Sequence, residues 1–250
     1  MLTGLFLILA CVYFTLGFAV DLIVPRISPE TEYQMASYFF RQKSDKAVSE
    51  KTRMVQDLAD RMRKCSEIPY DLTVHVSESD QFNAMALPGG NILVFSKLLE
   101  KVESENELAF VLAHEMGHFA NRDHLRGLGR SLVFMAISAV LFGGDSWVGA
   151  LLGQSLNITE MSFSRKQETG ADEYALNVLN CAYGHVGGSI DFFRKLGKYE
   201  SKDIMPHYFS THPESRKRIS HLKKYGHSKG FSDGPVRPLE RTSVEKTSVK

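Results

Sequence analysis

Between Leu2 and Val20 the chain carries no charged side chain. A helix of about 20 apolar residues, rising about 1.5 Å per residue, matches the thickness of bilayer hydrocarbon. The run therefore sets residues 1–24 apart, as a transmembrane anchor or signal segment, from whatever folds behind it. An uncleaved anchor fits the length best. A cleaved signal peptide calls for a basic leading region, which is absent, although Gly17-Phe18-Ala19 offers small residues at a spacing suited to cleavage. A lipoprotein signal ending at Cys11 would be shorter still. Arg26 is the one basic residue close behind the span, so charge sets the orientation only weakly. A single-pass protein with its domain on the extracytoplasmic side, periplasmic in a bacterium, is the expectation.

Composition is globular: 43% of residues are apolar and 24% charged, which permits a sizeable core. The 30 lysines and arginines against 29 acidic residues leave a formal charge of +1. That balance supplies no broad positive field for a phosphate backbone and argues against nucleic acid as a partner. Cys11, Cys65 and Cys181 are too few and too scattered for a disulfide framework or a four-cysteine zinc site. Cys65 and Cys181 have the option of one bond, with two separate thiols as the expectation.

Behind Pro25 and Pro29, residues 33–65 carry apolar side chains at helical spacing, as at Met54, Leu58 and Met62, and predict one or two amphipathic helices. Leu72-Thr73-Val74-His75-Val76 alternates like a strand. Asn83 to Leu87, the turn Pro88-Gly89-Gly90, and Ile92-Leu93-Val94-Phe95 follow. Together they predict a small, mostly antiparallel sheet within an α+β, mostly helical domain over residues 25–225. A second apolar block, 132–152, is cut by Gly143-Gly144-Asp145-Ser146 into pieces of roughly a dozen residues, the length of buried helices. It reads as a helical hairpin packed in, or lipping over, the domain, with membrane contact as the lesser alternative. Helical pattern resumes over 157–179 and 186–199. Residues 226–250 are polar and predict a disordered tail.

Ser104 and Glu107 have the spacing of a capping box and open a helix through Leu108, Val111, Leu112 and Phe119. On it lies His114-Glu115-Met116-Gly117-His118, an HExxH motif. One turn separates the histidines, so both imidazoles leave the same face and can reach one ion. Zn²⁺ takes imidazole nitrogen at about 2.0–2.1 Å and leaves room for a third protein ligand and a water. Glu115 is then placed to take that water's proton and pass it to a leaving amine. Histidines on an apolar face are also ordinary core residues, so a third ligand decides. Glu168, in Ser164-Arg165-Lys166-Gln167-Glu168-Thr169-Gly170-Ala171-Asp172, completes a His₂Glu set with an open fourth position. Asp172, one turn on, can accept the far ring proton of a ligand histidine. His124 is a rival: it follows His118 at the spacing of the third histidine in HExxHxxGxxH, with Asn121 where that pattern has glycine.

These residues resemble the HtpX-like and CAAX-prenyl-protease-type gluzincin endopeptidases, a group that includes periplasmic quality-control proteases of the BepA type. The resemblance covers roughly residues 71–222. Its specific pieces are Asn83-Ala84 with Leu87-Pro88-Gly89-Gly90, His114 to His118, Ser164-Arg165 through Asp172, and Thr211-His212-Pro213 before a final helix. It implies a gluzincin-type zincin fold and one Zn²⁺ per chain held by His114, His118 and Glu168, with Glu115 as general acid/base and Asp172 behind the ligands. It also implies that Asn83, Ala84, Met85 and Ala86 form an edge strand that binds substrate backbone by strand addition. His212 is implied near the zinc, as a donor to the oxyanion or as a block on the open position; alternatively His212-Pro213 simply starts the last helix. Prenyl-protein proteases of this type span the membrane many times, and a single convincing span here argues against a prenylated substrate.

Two function classes follow. One is a membrane-anchored zinc endopeptidase acting on unfolded or misassembled polypeptides. The other is a membrane-tethered client-binding or chaperone-like module with a silent or autoinhibited protease fold.

Overall fold

The domain is assembled around one helix that water scarcely touches. In the computed structural model, which describes residues 2–40, 49–142, 162–200, 211–212 and 215–240, every residue from Asn106 to Phe119 is buried. Three strands and the other helices are laid against it. In chain order the elements are α1 (Leu2–Ile23), a 3₁₀ turn (Val24–Arg26), α2 (Pro29–Phe40), α3 (Glu50–Arg63), β1 (Thr73–Ser77), β2 (Ala84–Leu87) and β3 (Asn91–Phe95). There follow α4 (Ser96–Lys101), the central α5 (Glu105–Ala120), α6 (Asp123–Phe142), α7 (Arg165–Tyr183), α8 (Ser189–Glu200) and α9 (Ser215–Ser228).

Capping explains where the key helices start. The Ser104 hydroxyl accepts from Glu107 N–H at 3.2 Å, but Glu107 does not return the bond to Ser104. Its carboxylate accepts from Glu103 N–H at 2.7 Å and from Lys195 on α8 at 2.6 Å instead. The reciprocal box is found at α7, where Ser164 and Gln167 cap each other at 2.9 and 3.4 Å. Gly184, at φ 75°, ends α7 in the left-handed conformation that glycine adopts without strain. Leu58 and Met62 of α3, Ile92 and Val94 of β3, and Leu108 and Leu112 of α5 share one core with Leu176 and Leu179 of α7.

The sheet is mixed rather than mostly antiparallel. Its order is β1-β3-β2, with β3 antiparallel to β2 across the Pro88-Gly89-Gly90 turn and parallel to β1. The hairpin is legible in the sequence, but the chain leaving β1 passes β3's place before turning back. β3 therefore becomes the central strand, and Ile92 and Val94 have no exposed surface.

Three further expectations are corrected. Cys65 and Cys181 form a disulfide, with Cα atoms 5.8 Å apart, because the C-terminal ends of α3 and α7 meet on the core. The bond closes a sequence separation of 116 residues, which in chain-entropy terms stabilises by about 4–5 kcal/mol. Residues 231–240 are not a loose tail: Phe231 and Leu239 pack on the core, and Glu105 N–H donates to Arg237 O at 2.9 Å. Residues 241–250 lie outside the described residues. Finally, the first arm of the apolar block falls in the second half of α6, and there Leu132 and Phe134, at 36% and 63% exposure, are not packed into the core, which corrects the packed-in reading and leaves the other open. Residues 143–161 lie outside the described residues.

Helix α2 is fastened to the domain by one carboxylate. Glu32, fully buried, accepts from Tyr70 OH at 2.5 Å, from Gly89 N–H at 2.9 Å and bonds His124 Nε2 at 2.8 Å. Burial by itself pushes this carboxyl up, but the hydrogen bond and charge of His124, with Tyr70 and Gly89, outweigh it and hold the group below the usual carboxylate range. A depressed carboxyl stabilises the fold above its unfolded pKa and loses that contribution as pH falls through the lower, folded one. Glu32→Gln is therefore expected to cost about 1–3 kcal/mol at neutral pH. In denaturant unfolding of the detergent-solubilised chain, the gap to the parent should shrink on acidification below the carboxylate range. A gap that grows with acid contradicts the assignment.

Candidate metal centre

The two histidines of α5 end up beside α7 because the helices touch at Gly117, where an added Cβ would lie 2.7 Å from the Ala171 Cα. This contact brings Glu168 and Asp172 of α7 against the HExxH face. One ligand atom each from His114, His118, Glu168 and His212 lies within 4.8 Å of the others, and all four residues are buried.

The outer ring nitrogens are held by carboxylates. His114 Nδ1 is 3.0 Å from Asp172 Oδ1, and His118 Nδ1 is 3.1 Å from Asp123 Oδ2. Both Nε2 atoms consequently turn inward, toward Glu168, at 3.6 and 3.4 Å from its two oxygens. Neither finds a hydrogen bond of good geometry there, although each is buried. Buried polar atoms left in this way are rare and call for a partner. A tetrahedral ion with bonds of about 2.0–2.1 Å has ligand atoms roughly 3.3–3.4 Å apart, close to the separations observed. The donor set of imidazoles and one carboxylate suits a divalent metal of zinc type.

His212 Nδ1 lies 2.9 Å from Glu168 Oε1, and its Nε2 lies 3.8 Å from Glu115 Oε1. The other oxygen of Glu115 accepts from Ala86 N–H, on the outer edge of β2, at 2.8 Å. Asn83 lies immediately before that strand, with its side chain accepting from Ala84 N–H at 3.0 Å and donating to Thr211 at 3.4 Å. Ala84, Met85 and Ala86 are buried in β2. Pro213 lies outside the described residues. His124, the rival ligand, is elsewhere: its ring nitrogens meet Glu32 at 2.8 Å and the His118 carbonyl at 3.3 Å. The left-handed turn before it falls on Arg122, at φ 57°, not on Asn121, so the chain does not carry His124 around to the histidine pair.

Three neighbours escaped the sequence reading. Asp123 opens α6 and also accepts from Gln167 at 2.8 Å, so it ties His118 to α7. Phe163 stacks on the His118 ring at 3.8 Å between centroids. Arg218, on α9, donates to both oxygens of Asp172 at 2.8 and 2.6 Å and pairs with Glu168. A signal for Arg218 was present: it stands one turn before buried Leu222, on the apolar face of a basic helix.

Charge in this pocket is strongly redistributed. Burial works to lower His118, but Asp123 and Glu168 raise it to about 9. His114 is lowered, chiefly by burial. Burial would raise Glu168, yet the charges of His212 and Arg218 hold it well below the carboxylate range. Asp172 is lowered likewise, against its burial, by Arg218. Both acids are thus anionic at neutral pH, as cation ligation and histidine orientation require.

The comparisons agree with this chemistry. The chain is 32% identical over 189 residues to the zebrafish protein named "Metalloendopeptidase OMA1, mitochondrial", covering 69% of this chain and 39% of that one. It is 30% identical over 146 residues to the Escherichia coli "Metalloprotease LoiP", covering 56% and 57%. To the Yersinia pestis "Beta-barrel assembly-enhancing protease" it is 32% identical over 164 residues, covering 58% and 32%. The chain spans less than half the length of the mitochondrial relatives it matches. The family model for Peptidase family M48 matches residues 49–226, from α3 to α9 and including every residue of the buried cluster, so the chain belongs to peptidase family M48.

Proposed function

We propose that the protein is a membrane-anchored, zinc-dependent endopeptidase of the gluzincin type that cuts unfolded or misassembled polypeptides. The observation that carries the proposal is the pair of buried, inward Nε2 atoms at tetrahedral-edge distance from Glu168. His114, His118 and Glu168 are the ligands, and Asp172 and Asp123 fix the tautomers of the two imidazoles. A zinc ion bound there supplies Lewis acidity and brings the pKa of a water to near neutrality. Glu115 would serve as the base for an attacking water and would pass the proton on to the departing amine, so the sum is water plus peptide giving acid plus amine. His212 faces both Glu115 and Glu168 and donates to the oxyanion as charge develops.

Substrate adds as an extended strand to the edge of β2. Ala84 and Ala86 direct their N–H groups to the Asn83 and Glu115 side chains, and strand addition exchanges those acceptors for substrate carbonyls. Extended geometry selects unfolded chain. Anchoring is by α1, since Leu7–Arg26 is long and apolar enough to cross a membrane. The Cys65–Cys181 bond supports an oxidising, extracytoplasmic location for the domain. The second reading, a client-binding module with a silent protease fold, would keep the same cluster and differs from the first in activity alone.

The full chain in detergent is expected to carry one zinc and to cleave unfolded casein. Phenanthroline should stop cleavage, added zinc should restore it, and Glu168→Ala should lose the metal. Stoichiometric zinc with casein binding but no cleavage would favour the client-binding module. If His124→Ala abolishes zinc binding while Glu168→Ala retains it, the ligand assignment is wrong.

A further inference from the structure

Apart from Tyr33 and Val236, every exposed large apolar side chain among the described residues belongs to α1 or α6. The two helices lie side by side and antiparallel. Near Ala120, Arg122 donates to the Val24 and Ile27 carbonyls; farther along α6, Arg126 and Arg130 reach Asp21 at 3.6 and 2.9 Å. Gly129 lets the backbones close up, since a Cβ there would sit 2.7 Å from Val20. Arg126 and Arg130, one turn apart on α6, therefore meet Asp21 in a charged level opposite the end of α1, while Arg122, in the turn before α6, holds the chain that follows α1. Past that level neither helix carries a charge: α1 runs back from Val20 to Leu2, and α6 runs on from residue 131 to 142.

We propose that residues 131–142 of α6 are sunk in the lipid bilayer beside α1, with the Asp21–Arg126–Arg130 level at the headgroups. The proposal rests on reading α1 as the membrane helix. Leu132 and Phe134 of α6, at 36% and 63% exposure, continue the bare surface formed by Leu16 and Phe18 of α1, at 40% and 64%. A patch continuous with a membrane helix and bounded by arginines fits acyl chains on one side and lipid phosphates on the other. The segment is about 18 Å long at 1.5 Å per residue, against roughly 30 Å of hydrocarbon, so it enters the bilayer without crossing it. The helix that enters lipid is also the one whose first residue, Asp123, holds His118. Asp123 precedes Arg130 by about 10 Å along the axis, which keeps the metal cluster close above the headgroups.

The test uses the full chain in phosphatidylcholine vesicles, with and without lipid brominated in the acyl chain. The sole tryptophan is first removed as Trp147→Phe, and single tryptophans are then introduced as Phe134→Trp, Leu132→Trp and, for reference, Phe14→Trp in α1. Bromolipid is expected to remove as much emission from Phe134→Trp and Leu132→Trp as from Phe14→Trp, with little loss to aqueous iodide. Iodide quenching that exceeds bromolipid quenching at both α6 positions overturns the proposal. So does shielding from both reagents, which would mean a protein partner over α6. If Phe14→Trp itself escapes bromolipid, the reading of α1 falls and this inference with it; if only the α6 positions escape, α1 stands alone as the membrane element.

Discussion

Replacing Glu115 by Gln is expected to lower kcat/KM for peptide hydrolysis by about 10²–10⁴-fold, the range for loss of a positioned general base, with zinc content unchanged. The substitution is close to isosteric, and Gln retains an oxygen to accept the Ala86 N–H that Glu115 now accepts at 2.8 Å. The β2 edge should therefore stay in place. What disappears is the capacity to take a proton, because an amide cannot serve as a base at neutral pH. The loss should fall on kcat more than on KM, since proton transfer is an interaction of the transition state and not of the bound substrate. Elemental analysis and steady-state kinetics on the same preparation decide it. An active Glu115→Gln protein with full zinc would remove Glu115 from the chemistry.

Arg218→Ala should be the most destabilising single change near the site, at about 3–5 kcal/mol for removing one partner of a buried ion pair. Arg218 is 5% exposed and answers two acids at once, Asp172 through both oxygens and Glu168 through its third nitrogen. Without it, two carboxylates held in the ionised form face a low-dielectric pocket with only histidines to balance them. Lys is a poor substitute, because a single ammonium cannot span Asp172 and Glu168 in the fork geometry of a guanidinium. Zinc places positive charge beside Glu168, so the loss measured by denaturant unfolding should be smaller with zinc than after chelation. Less than about 1 kcal/mol in the chelated protein would show that solvent already screens the acids.

The features legible in sequence were those written by local rules. Ser104 and the apolar spacing through Phe119 announce α5, and two histidines one turn apart announce a shared face. Glu168 and Asp172 were visible for the same reason: they sit one turn apart on a second helix whose residue types suit ligation and histidine orientation. Features set by which distant segments meet were not legible. The parallel pairing of β1 with β3 depends on where the chain goes between β1 and β2, and no spacing encodes it. Arg218 reaches Asp172 across 46 positions, and the cysteines meet across 116. The apolar length of 132–142 leaves protein core and membrane contact both open, and the packing of Gly129 on Val20 of α1 is another pairing of distant segments that no spacing encodes.

Cys65 and Cys181 bracket the three strands and the whole of the HExxH helix. Any single cut between them, including one the protein makes in itself, leaves two fragments joined covalently. Such a nicked molecule would travel as an intact chain in denaturing electrophoresis without thiol, and self-processing in this stretch would show only in the reduced lane.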